Sequence, residues 1–174
     1  MDNSFLVYLQ KIELLVFFSG YPLLYLLVVA IAGNQKGKDT VQNKLVSLLP
    51  YTYAFAGTLY LGLLCKNLYP DYSITHLSER TLHPYLTILG LSAMLFWIPA
   101  LQRKRIFCFL HSLIFFFFLA KDFFIQRAGE MVDKTVLQNN MKIYTISFFM
   151  HLFLLLLFFV PVFLHKRFFY RHSS

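Results

Sequence analysis

The sequence predicts an all-α integral membrane helical bundle of five transmembrane helices, with the N-terminus outside and the C-terminus cytoplasmic. Two observations lead there. Five apolar stretches, at about residues 5–32, 45–65, 84–101, 106–125 and 143–164, alternate with short polar connections, and each approaches the ~20 residues a helix needs to cross a bilayer. Basic residues are denser on every second connection, the asymmetry that retains Lys and Arg on the cytoplasmic side. The spans use up most of the chain, so residues 1–174 read as a single transmembrane domain.

Span one runs from Phe5 or Ile12 to Ala32, with Asn3 or Ser4 able to cap its start. Its first ten residues hold Asp2 but no Lys or Arg, and no small-residue cleavage site follows, so it is expected to remain as an uncleaved anchor. Ser19, Gly20, Tyr21 and Pro22 lie mid-span, where Pro22 removes a backbone donor and predicts a kink. Gly33 and Asn34 supply a left-handed stop. Asp39 or Thr40 can cap span two, in which Pro50 marks a second expected bend.

The connection from Lys66 to His83 is the longest polar segment, with a short surface helix expected between Ser73 and Arg80. Pro84 fits the first turn of span three. Residues 102–105 form a tight basic turn, making spans three and four antiparallel neighbours. A polar stretch to Lys142 then leads into span five, with Pro161 near its end.

Charge placement sets the orientation. Lys36, Lys38, Lys44, Arg103, Lys104, Arg105, Lys166, Arg167 and Arg171 fall on one side; Lys11, Lys66, Arg80, Lys121, Arg127, Lys134 and Lys142 fall on the other, in longer segments. Density makes the first side cytoplasmic. This bias suits a bacterial-type cytoplasmic (inner) membrane. Tyr69, Tyr72, Tyr85 and Tyr144 at one interface, with Tyr51, Trp97 and Tyr170 at the other, mark both boundaries without choosing a side.

Composition narrows the function classes. Hydrophobic residues make up 58% of the chain and charged residues 14%, where a soluble domain carries about a quarter charged. The formal charge of +8 does not point to nucleic acid, because the cations cluster at span ends, where they meet anionic lipid heads. Cys65 and Cys108, on different spans and without a C-x-x-C, predict two unpaired thiols.

In lipid, helices gain little from hiding apolar surface, so close packing calls for small residues. Ala54, Gly57, Thr58 and Gly62 on span two, with Thr87, Gly90 and Ala93 on span three, predict a core helix pair. The region around Ser19 and Gly20 is expected to pack against that pair, with the Leu- and Phe-rich spans four and five peripheral. Tyr144, Ser147 and His151 share one face of span five, and such a polar stripe should turn towards protein.

Three constellations hold candidate chemistry. His76, Glu79 and His83 share one face if residues 71–83 are helical, and two imidazoles with a carboxylate suit zinc or a similar ion; the competing reading is a solvated loop. His111 and His151 are intramembrane imidazoles, and haem ligation is the functional reading. Their expected depths differ by roughly 12 Å, which favours hydrogen bonding to neighbouring helices instead. Lys121, Asp122, Arg127, Glu130, Asp133 and Lys134 form either an interaction surface or a self-neutralising helix extension.

No carboxylate lies deep in a span, and H-E-x-x-H, G-x-S-x-G and a Gly-rich phosphate loop are missing from the sequence. The expectation is therefore a non-catalytic membrane subunit or scaffold, with the bilayer and a protein partner or second copy as its contacts. No cofactor is implied. The alternatives are a small permeation component lined by Tyr21, Tyr25, Tyr60 and His151, or a membrane metal or haem redox protein.

Overall fold

The computed structural model describes residues 14–32, 41–68, 84–128 and 134–171, and among these it is helical throughout apart from short turns, with no strand. Helix α1 is Leu14–Ala32, interrupted by a turn at Ser19 and Gly20. Helix α2 is Val41–Leu68, α3 is Pro84–Ser92 running into a 3-10 turn Ala93–Trp97, α4 is the single turn Pro99–Gln102, α5 is Arg105–Ala128 and α6 is Lys134–Arg171.

Three apolar segments among the described residues, Leu14–Ala32, Asn43–Asn67 and Gln138–Phe163, are long and apolar enough to cross a membrane. The stretch expected as span three is different. Its apolar helix, Tyr85–Trp97, ends four residues before the predicted limit at Leu101. Pro99 is the reason: a proline disfavours helical geometry in the residue before it, and Ile98 is extended, with φ −70° and ψ 123°. With its last five residues in 3-10 form, this helix rises about 22 Å, against a hydrocarbon core of ~30 Å.

The kink expected near Pro22 falls at Ser19 and Gly20, because Pro22 has no N–H to offer the Phe18 carbonyl. Across the turn, the Leu24 amide reaches the Gly20 carbonyl only at 3.4 Å. Helix α2 continues through Pro50 without an interrupting turn.

Helix α2 is the hub, touching α1, α3 with its 3-10 extension, α5 and α6. Its contact with the 3-10 turn is close: a side-chain carbon at Gly57 would stand 3.0 Å from Ala93 Cβ and 3.1 Å from the Met94 amide. The Trp97 indole N–H donates to Thr58 Oγ1 at 3.0 Å, tying the end of the turn to α2. Gly90 lies under Leu14, Tyr60 and Phe18. Gly62, on the same stripe as Ala54 and Thr58, faces open space, so the small-residue pattern extends one turn beyond the contact. Ala54 is fully buried and Thr87 nearly so.

The tightest approach lies elsewhere. The Gly20 amide donates to Ser147 Oγ at 2.8 Å, and a Cβ on Gly20 would collide with the Phe148 amide and stand 2.5 Å from the Ser147 carbonyl carbon. The turn in α1 therefore docks on α6, and span five is central along this face, not peripheral. Its other face is lipid-like, with Phe149, Phe153 and Leu157 exposed.

Gly20→Ala should destabilise the fold by about 3 kcal/mol or more, because backbone on both helices would have to separate. Gly62→Ala should change stability by no more than about 0.5 kcal/mol. Thermal unfolding of both variants in one detergent checks the contrast.

Candidate functional site

The polar groups inside the bundle gather where α1, α2, α3, α5 and α6 converge. Helix α2 brings Tyr53, whose ring lies 5.6 Å from His111 of α5 and 6.3 Å from His151 of α6, centroid to centroid. Tyr21 of α1 packs 4.5 Å from the Tyr53 ring and edge-on, at 5.5 Å, to His151. Phe18, Phe96 and Phe115 close the cluster. Two histidines forty residues apart in sequence thus meet one tyrosine.

The hydrogen bonds at His111 determine its tautomer. Nε2 faces the Leu89 carbonyl oxygen at 3.0 Å, an atom that can only accept, so Nε2 carries the proton. Ser92 Oγ donates to the same carbonyl at 2.6 Å and accepts from Nε2 at 2.8 Å. Nδ1 is then an acceptor, and Tyr53 Oη donates to it at 2.5 Å. One imidazole joins α2, α3 and α5 with both nitrogens engaged, leaving no free lone pair for a metal.

His151 is built differently. Its Nδ1 donates to the Ser147 carbonyl one turn earlier on α6, at 2.9 Å. Nε2 is an acceptor with no protein partner, as are the fully buried Ser19 Oγ and Tyr21 Oη in having none. All three belong to the Gly20–Ser147 crossing: Ser19 and Tyr21 flank the glycine, and His151 lies one turn after the serine. Ser147 therefore serves both roles, receiving the Gly20 amide on its hydroxyl and the His151 N–H on its carbonyl.

The other predicted positions are placed as follows. Tyr60 is buried between Phe17 and Phe18, and half-buried Tyr25 packs at a tilt against Phe109 at 4.9 Å. Tyr144 packs on Phe116 at 5.7 Å. Cys108 is buried, Cys65 exposed, and both are free thiols. His76, Glu79 and His83 lie outside the described residues, as do the side chains of Asp122, Arg127 and Lys134. Among the described residues no three His, Cys, Asp or Glu side chains are grouped as a ligand set.

Sequence reasoning missed Tyr53 and Ser92. Tyr53 sits in an apolar run with three other aromatic residues, Tyr51, Phe55 and Tyr60, and carries no positional signal. Ser92 had only a generic one: a serine within a helix can bond back to the carbonyl three residues earlier, as it does here.

Comparison of the chain with protein-family models, with curated proteins and with solved structures finds no match. Three apolar helices of crossing length among the described residues are compatible with a membrane protein.

A double-mutant cycle of Tyr53→Phe and His111→Phe, read by unfolding in detergent, should give a coupling of about 1 kcal/mol, in the range measured for hydrogen bonds between membrane helices. His151→Leu should cost no more than about 1.5 kcal/mol, since it removes an acceptor without a partner and leaves apolar volume behind. A loss from His151→Leu larger than that from His111→Leu would contradict the assignment of His111 as the joining residue.

Proposed function

We propose that this protein is a five-crossing membrane protein, N-terminus outside and C-terminus cytoplasmic, acting as a non-catalytic subunit or scaffold through helix contacts in a bacterial-type cytoplasmic membrane. One observation supports the reading above the others: His111, a polar side chain in the apolar region, has both ring nitrogens engaged in joining three helical segments. Ser147 joins a further pair in the same way. Such groups hold helices in place; they are not presented to a substrate.

The topology does not hang on the short third span. An α3–α5 hairpin returns the chain to the side it came from, whether it reaches through the bilayer or stops short of the far face. The termini therefore end on opposite sides in either case.

The permeation reading is weaker on this geometry. Tyr21, Tyr60 and His151 are buried inside one copy, at 0%, 3% and 0% exposure. They would have to leave the core before they could line a passage between copies.

The test is extraction of the tagged full chain from its membrane in mild detergent, with and without in-membrane cross-linking from Phe117 or Phe153, both 63% exposed. A stoichiometric partner or a defined oligomer is the expected result. A cross-link-free monomer would overturn the proposal, and solute flux through reconstituted vesicles above that of empty ones would move the reading to permeation.

A further inference from the structure

In the hairpin formed by α3, α4 and α5, the first arm is short for a bilayer crossing. Its first arm, Tyr85–Trp97, rises about 22 Å. On the second arm the charge-free stretch is residues 106–120, between Arg105 and Lys121, and it also rises about 22 Å. The uninterrupted helix of the first arm thus falls ~8 Å short of a hydrocarbon core of ~30 Å, whereas the helix of the second arm, Arg105–Ala128, is long enough to cross but meets Lys121 within that depth.

The tip joining them carries three consecutive cations, Arg103, Lys104 and Arg105, all exposed. The sequence has no Asp or Glu between Glu79 and Asp122, so neither arm can neutralise them. Apolar side chains stand directly beside the cations: Leu95, Ile98 and Ile106 are exposed around the turn. Lys104 Nζ lies 5.4 Å from the centre of the Phe107 ring, within cation–π reach, which keeps one ammonium on the apolar side of the tip.

Cations cannot stay in hydrocarbon without counter-charge. A hairpin with one short arm is accommodated when the bilayer thins locally and draws headgroups towards the tip. We propose that Arg103, Lys104 and Arg105 form a seat for anionic phospholipid headgroups of the cytoplasmic leaflet, with the acyl chains lying along Leu95, Ile98 and Ile106. Charge complementarity selects an anionic lipid, and the apolar flank selects a lipid over a free anion. The inference rests on the proposed topology, which places this tip at the cytoplasmic face.

The experiment is native mass spectrometry of the full chain in detergent, titrated with phosphatidylglycerol or phosphatidylcholine. The proposal expects phosphatidylglycerol to bind at least about tenfold more tightly, each interfacial cation being worth roughly fivefold. The triple variant Arg103→Gln, Lys104→Gln, Arg105→Gln should lose that preference. The control Lys121→Gln, Lys142→Gln should keep it. All five positions are exposed, and an unchanged helical circular dichroism spectrum confirms that each variant is folded.

An absent preference in the parent chain, its retention in the triple variant, or an equal loss in the control would each overturn the seat. So would full displacement of the lipid by excess inorganic phosphate, which would identify a free-anion site. Partner or oligomer recovery from mild detergent is read separately on the same triple variant. An unchanged partner with lost lipid preference supports the seat, and a missing partner in the parent chain speaks against the scaffold reading alone.

Discussion

The contact between Gly20 and Ser147 organises this bundle. Lipid provides almost no hydrophobic drive to bring helices together, so position has to come from shape and from hydrogen bonds. At this crossing both act at once. The missing side chain at Gly20 lets backbone meet backbone, and the amide freed by the turn finds a hydroxyl on α6. Tyr21 follows the glycine directly and His151 lies a turn beyond the serine, so their juxtaposition is inherited from the crossing. Tyr53 then rests on both rings.

His111 has the complementary task on the opposite side of Tyr53's network. Its two nitrogens read two different partners, an acceptor on α3 and a donor on α2. Only the Nε2–H tautomer satisfies both. A neutral imidazole is thus fixed in orientation by its neighbours, a stronger positional constraint than apolar packing among Leu and Phe side chains provides.

Much of this was legible in the sequence, and the rest was hidden for identifiable reasons. Helix content follows directly from apolar runs bounded by cations. The stripe of Tyr144, Ser147 and His151 correctly marked a face that turns inward. What the stripe could not convey was its partner, because Ser19 and Gly20 are equally compatible with any neighbour that offers an acceptor. Leu and Phe content made span five look peripheral, although a helix can bury one narrow polar face and expose the remainder. Pro99 was the overlooked signal in span three: the apolar stretch continues past it to Leu101, although a proline dictates the backbone of Ile98. The Ala54, Thr58 and Gly62 stripe shows the converse, a regular pattern that outruns the contact it suggested.

The protein's single tryptophan is Trp97, and it occupies the point where the 3-10 turn is tied to α2 through Thr58 and packs at 6.2 Å against Tyr51. Indole emission from the intact chain therefore originates at one junction, beside the extended residue that ends the third apolar segment. Loosening of that junction would change the polarity around a lone fluorophore, giving the molecule a built-in optical gauge of whether the short arm of its hairpin remains seated on the central helix.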